Sequence, residues 1–318
     1  MNQESLSLIG YYHKGKKTRR EEFLEQMDKV VPWKRLTALI EPHYPKASIS
    51  GGRPAFPIER LLRVYCLQQW YNLSDPAAEE ALYDSLTMRH FAGVRNDNDV
   101  IPDESTILRF RHLLETYKLT ERMFQEINVL LGERGFMVGK GTIVDATIIN
   151  APSSTKNAER KRDPEMHQTK KGQQYYFGMK VHTGVDTEAG LVHTVVCTAA
   201  NLADNQVLGE LLHGEEQALY GDAAYQAREL KEQAEAAKIE FKVCERAGNG
   251  RPLTKKQKAS NRKISKVRSI VEHPYLIVKK LWGHAKVRYR GIAKNNAQMH
   301  ALFGLSNLYR VRHWLLAT

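Results

Sequence analysis

The sequence predicts an α/β unit on a mixed five-stranded sheet, preceded by an all-α N-terminal domain. Three observations carry this. Apolar residues recur at helical spacing as far as about residue 135, and β-branched runs begin just after Gly139. Beyond those runs, short strand-like stretches alternate with helical ones, the pattern of a sheet flanked by helices.

The chain has 318 residues, a length comfortable for two domains. Lys and Arg number 48 against 36 Asp and Glu, a net charge of +12 that points to a polyanionic partner. Cys66, Cys197 and Cys244 are too few and too scattered for a disulfide framework, and no CxxC pair suggests zinc. No run of 18 apolar residues would span a bilayer, so no membrane partner is expected. The charges at Lys14, Lys16, Lys17, Arg19 and Arg20 follow a short apolar patch, the reverse of a signal peptide, so a reducing cytoplasm is expected.

Residues 1–45 read as a helical arm, with Phe23, Leu24, Met27, Val30 and Val31 at helical spacing. The breaker cluster over Ser50–Pro57 marks a boundary, and 46–135 read as a helical domain. Pro57 opens a core helix from Ile58 to Tyr71, and Ser74-Asp75-Pro76 caps another to about Asp84. A short helix near Leu86–Ala92 and a polar loop over 96–102 follow. Asp103 to Thr106 then open a helix carrying Arg109, Arg111 and His112.

Residues 136–318 form the α/β unit. Strands are expected at Thr142–Ile149, Lys180–Val185 and Leu191–Thr198, the last two as a hairpin. A helix near 205–212, a strand ending at Gly221, a helix over 224–237 and a strand at Ile239–Val243 continue the series. Three leading strands followed by such an alternation is the order of the ribonuclease-H-like fold. Two segments interrupt it. Residues 152–176 read as a mobile basic loop, and 246–294 hold fifteen Lys and Arg with one acid, Glu272. A final amphipathic helix, Asn295–Leu316, should pack on the sheet.

Asp145 sits in the middle of an apolar strand, where a charge is costly unless it is paired or bound to metal. Asp222 follows Leu219-Tyr220-Gly221 at a strand-to-helix junction, a place for a site residue and equally for a helix cap. Glu272 lies among cations, with Arg268 and Lys279 close to one helical face with it. Three carboxylates from separate elements suit two divalent ions, Mg²⁺ with Mn²⁺ as a substitute, for phosphoryl transfer. Asp186 and Asp204 read instead as turn and helix-cap residues.

These stretches resemble the bacterial insertion-sequence transposases of the insertion-sequence-five group, in the DDE transposase superfamily. The resemblance runs from about residue 46 onward. It rests on Gly52-Arg53-Pro54 through Leu73, Ile101 through Arg111, Val144 through Thr147, Lys180 through Asp186, Tyr220 through Tyr225, and Val271 through Pro274. The group's Arg-x3-Glu-x6-Lys signature falls on Arg268, Glu272 and Lys279; the Tyr that often precedes it is here Ser265. Pro274 should kink the helix beside Glu272. The resemblance implies Asp145, Asp222 and Glu272 as the catalytic, metal-binding triad, with Arg268 and Lys279 on phosphate and Lys180 and His182 as neighbours. It also implies a homodimer on double-stranded DNA and a cytoplasmic, nucleoid-associated protein. Arg109 and Arg111 are the expected recognition-helix residues. Two other readings compete: a nuclease of the same fold without strand transfer, and a non-catalytic DNA-binding derivative.

Overall fold

The computed structural model describes residues 15–45, 55–95, 99–137, 139–156, 158–248 and 250–317. The N-terminal patch, Gly52-Arg53-Pro54, most of the breaker cluster and residues 96–98 of the expected loop lie outside them. The chain folds as two units, Met1–Ile127 with Leu308–Thr318, and Asn128–Asn307.

In the first unit the described elements are helical: α1 (Arg19–Val30), α2 (Trp33–Ile40), α3 (Ile58–Tyr71), α4 (Asp75–Asp84), α5 (Leu86–Phe91), α6 (Glu104–Thr116) and the start of α7 (Leu119–Glu133). Side chains close the helix starts as the sequence suggests. Thr18 and Glu21 form a capping box, while Ser74 and Asp103 each accept a backbone N–H of the following turn. The expected arm over 1–45 is not separate. Phe23 meets Trp70 edge-on at 5.2 Å, and Trp33 and Trp70 both pack on Phe91, so α1 and α2 share a core with α3 and α5. Nor does the division fall at 135; it falls inside α7, at Ile127/Asn128.

The second unit holds a six-stranded mixed sheet: β1 (Gly141–Asn150), β2 (His167–Lys171), β3 (Gln174–Asp186), β4 (Val192–Ala199), β5 (Ala218–Gly221) and β6 (Glu240–Val243). β3 pairs antiparallel with β1, β2 and β4, whereas β5 pairs parallel with both β1 and β6. The five expected strands thus run β4-β3-β1-β5-β6, an order that fits the ribonuclease-H-like expectation. The sixth strand corrects the reading of 152–176 as loop throughout. β2 and β3 form a hairpin whose first loop residue, Gly172, has φ +62°, as a type II′ turn requires. Its faces are largely exposed, so no apolar alternation announces it.

On one face of the sheet Val144, Leu219 and Val243 pack with Val207, Leu208, Leu211 and Tyr225. These come from the short α8 (Leu208–Leu211) and the turns flanking it and β5. The remaining helices are α9 (Arg228–Ala236), α10 (Lys255–Arg268), α11 (Glu272–Leu276) and α12 (Ile292–Ala317). Through Asn307, α12 counts with this unit. The Asn307 side chain accepts from Val192 N–H and donates to its carbonyl, which docks the helix on β4.

The strands approach closely at Gly178, where an added Cβ would collide with the Ile149 carbonyl oxygen of β1. Gly178→Ala is expected to destabilise the protein by roughly 3 kcal/mol, since the obstacle is backbone and cannot swing aside. Urea unfolding checks this; a change below about 1 kcal/mol would mean that the strands part without cost.

Candidate active site

The parallel register of β1 and β5 sets Ile143 beside Tyr220. Asp145 stands two residues past Ile143 and Asp222 two past Tyr220, just beyond the carboxyl end of β5, and the Asp222 charge acts on Asp145. The chain then leaves the sheet as a tight turn, and Asp222 caps it by accepting Ala224 N–H at 2.8 Å. The cap reading of Asp222 therefore holds for one carboxylate oxygen.

Asp145 is partly buried, one oxygen accepting Ala146 N–H at 2.9 Å, and Arg268 reaches only to 3.7 Å of it. Its carboxyl is pushed up to about 6. Burial is the main cause; Arg268 and the Ala146 hydrogen bond pull the other way, and the charges of Asp222 and Glu272 push further up. The three acids thus share one electrostatic neighbourhood.

The chain from Arg268 to Leu281 lies along β1. Tyr275 Oη donates to the Asp145 carbonyl at 3.0 Å and sits 2.7 Å from Thr183 Oγ1. Lys279 Nζ donates to Thr147 Oγ1 and to the Ile148 carbonyl at 2.9 and 3.0 Å. Burial lowers the Lys279 pKa, as do Lys171 and Lys280, while Glu272 opposes them. The segment is not one regular helix. A 3-10 turn at Ser269–Val271 leads into α11, and a π-helical turn follows at Ile277–Leu281. The disturbance expected from Pro274 appears as these changes of winding. Glu272, on the first turn of α11, is exposed, and its carboxylate makes no hydrogen bond among the described residues.

Other expected site residues lie elsewhere. β3 is the neighbour of β1, but Thr183 is the residue opposite Asp145, while His182 stands opposite Ala146. His182 and Lys180 therefore point to the other face of the sheet. There His182 is fully buried against Thr198 Oγ1 at 2.8 Å, and Lys180 pairs with Asp204 at 2.8 Å. Which face of β3 meets Asp145 is set by its register with β1. Asp204 is thus an ion-pair partner rather than a cap. Asp186 is the turn residue expected, accepting the N–H groups of Glu188 and Ala189. In the first unit Arg109 is exposed and bonds Ser105. Arg111 is turned inward and paired with Asp75 and Glu115, both at 2.8 Å, which corrects its place on a DNA-facing surface. Its i, i+2 spacing from Arg109 already puts it on a different helix face.

Sequence reasoning missed Tyr275, Thr183 and Tyr225. Tyr225 is fully buried, and its hydroxyl has no hydrogen-bond partner among the described residues. Burial, then Asp204, Asp145 and Asp222, raise its pKa.

Two families of known proteins match this chain. The Transposase DDE domain covers residues 137–308, more than half of it, and the Transposase domain (DUF772) covers 12–113. The chain belongs to the DDE transposases. Enzymes of this family generally depend on a divalent metal, and the donor set fits one chemically: Asp145, Asp222 and Glu272 offer only hard carboxylate oxygens. The burial and, secondarily, the neighbouring acids that raise Asp145 would be offset by added positive charge. The arrangement is nonetheless open. Among the described residues, no three His, Cys, Asp or Glu side chains are gathered tightly enough to hold an ion. Glu272 is free to close without giving up a hydrogen bond among them.

For this transposase the pKa shifts set opposite pH dependences. The folded-state pKa of Asp145 lies above the ordinary aspartate value of 3.8, so folding binds a proton there as pH falls through about 6, and the ionised form weakens the fold above that. Asp145→Asn is expected to stabilise the metal-free protein at pH 8 by up to about 3 kcal/mol, with the gain fading toward pH 4. Thermal melts at both pH values check this; a lower Tm for the variant at pH 8 counts against a costly buried charge.

Burial holds His193 at about 4 and also lowers His182. Their stabilising contribution is complete above the ordinary histidine value near 6.5, and it is lost as pH falls from there toward 4. His193→Gln should flatten this acid-side decline in urea titrations. An unchanged slope would show that His193 is charged in the folded state.

Proposed function

We propose that this DDE transposase binds the inverted ends of an insertion sequence, cleaves there, and joins the freed 3′-hydroxyl to target DNA. The reading rests on one juxtaposition above all: Asp145 on β1 and Asp222 just past the end of the adjacent β5, with the Arg268–Glu272–Lys279 segment bonded to β1. Its place in the insertion-sequence-five group rests on the signature residues Arg268, Glu272 and Lys279.

Asp145, Asp222 and Glu272 would hold two Mg²⁺ ions. When bound, such ions supply activation of the attacking oxygen and stabilisation of the leaving one. The protein's own groups do the positioning. Tyr275 fixes α11, and so Glu272, against the Asp145 backbone. Arg268 and Lys279 present cations beside the acids, where a phosphate diester would lie. Two ends must be cut and joined together, so the working form is a homodimer on double-stranded DNA, in the bacterial cytoplasm at the nucleoid. The exposed helix face with Arg109 and His112 is the part of the first unit assigned to end recognition.

The test is cleavage and joining of the DNA that flanks the reading frame, with Mg²⁺ or Mn²⁺. Asp145→Asn, Asp222→Asn and Glu272→Gln should each reduce joining at least ~10³-fold, about 4 kcal/mol of barrier, while DNA binding survives. Persistent cleavage without Glu272 would remove it from the ligand set. Cleavage of pre-nicked ends without joining would favour the nuclease, and binding without any cleavage the non-catalytic protein.

A further inference from the structure

Past the carboxyl end of β1 the second unit contains a cavity of about 470 Å³. Pro152, Val287 and Tyr289 contribute carbon walls, and Lys156, Arg162 and Arg288 contribute cations. The cavity is fastened to the strand that carries Asp145. Asn150 N–H donates to the Ala285 carbonyl, and Val287 N–H donates to the Asn150 carbonyl at 2.8 Å. Asp163 and Glu165 accept the N–H groups of Gly291 and Ile292 at 2.7 Å, which ties the loop after β1 to the start of α12 and satisfies that helix end internally. Arg290 is paired with Glu159. Arg162 is held in place: its Nε donates to the Ser153 carbonyl at 2.8 Å and its guanidinium lies over Phe177 at 5.4 Å. The rest of that guanidinium and the Lys156 ammonium make no hydrogen bond among the described residues.

We propose that this cavity receives one nucleotide of a DNA strand with its base withdrawn from the stack. The base would lie against Tyr289, Pro152 and Val287, with its phosphates on Lys156, Arg162 and Arg288. The inference rests on the transposase reading and adds a subsite to it. A phosphate alone needs cations and gains nothing from carbon walls. Cations around an aromatic platform are how proteins hold unpaired nucleotides, and the volume is that of a small-ligand pocket. The location suits a strand leaving the acids. From Asp145 to its end at Asn150 β1 extends about 17 Å, roughly five base steps of one DNA strand, and Lys279 is bonded to β1 between the two.

An unpaired base is costly to extract from a duplex and less so from a mismatch, so a mismatch at the right position must tighten binding. The experiment uses the full chain without metal and fluorescent duplexes of the flanking end DNA. A single mismatch is moved through the first ten base pairs from the cleavage point, and affinity is read by anisotropy. One position, several base pairs from the cleavage point, should bind about tenfold tighter than the paired duplex. Tyr289→Ala and, separately, the surface pair Lys156→Ala with Arg162→Ala should abolish that advantage while Tm stays near wild type. Equal affinity at every position, with binding still specific for end DNA, overturns the subsite and leaves the transposase reading standing. An advantage that survives in both variants also overturns it, since the mismatch then acts through DNA flexibility. Loss of preference for end DNA over unrelated DNA overturns both.

Discussion

The parallel pairing of β1 with β5 is the constraint on which the rest of the site depends. It puts two aspartates side by side where one strand continues and the other ends. Asp222 has some relief there, because the turn after β5 supplies an N–H for one oxygen. Asp145 has less. It stands mid-strand with one backbone hydrogen bond and a guanidinium at 3.7 Å, and its raised pKa records the repulsion and lost hydration. A sheet selected for stability alone would carry an apolar or neutral residue here. On the proposed reading this is where a metal ion's positive charge would be received, and functional sites are where such conflicts collect.

Around that strand the second unit is arranged to hold a segment of irregular winding in register. Tyr275 and Lys279 both spend their polar groups on β1 rather than on water or on each other. Residues four and seven apart share one helical face, and a 3-10 turn before α11 and a π turn after it adjust the winding along which Arg268, Tyr275 and Lys279 meet β1. Glu272 is carried on the part so fixed, yet its own carboxylate is left unbonded. On the proposed metal-binding reading, a fixed backbone with one uncommitted carboxylate would let the site close on an ion.

Much of this was legible in the sequence, for physical reasons that also explain the gaps. The Ile58–Tyr71 helix is long and apolar enough to be buried almost throughout, and the Gly141–Asn150 strand is marked by its β-branched run. The acids stood out because charge inside an apolar strand, or alone among cations, contradicts its surroundings. β2 was not legible because both its faces meet water, leaving no period to detect. The inward turn of Arg111 depends on Asp75, 36 residues away, and no local pattern announces such a pair. Lys180 and His182 were placed on the right strand but the wrong face. The strand itself was identified from its residue types, whereas the face depends on register with β1. Tyr275 was invisible for a related reason: its role is a hydrogen bond to a backbone carbonyl 130 residues away.

The cations divide into two kinds, and the division follows from their hydration. Lys255, Lys256, Lys258, Arg262, Lys263 and Lys266 of α10 are exposed. Charges of that kind act at a distance and are screened within a Debye length of about 8 Å at physiological salt, so on the proposed reading they would capture DNA rather than place it. Arg268 and Lys279 are half-buried and held beside β1. Part of their desolvation cost is met by folding, and their positions are fixed to a strand rather than to a mobile stem. A phosphate arriving there meets a charge that needs little reordering and is less screened by salt. Salt should therefore weaken encounter more than alignment. The basic stretch that looked uniform in sequence is, on this argument, a collecting surface that leads to two fixed contacts at the acids.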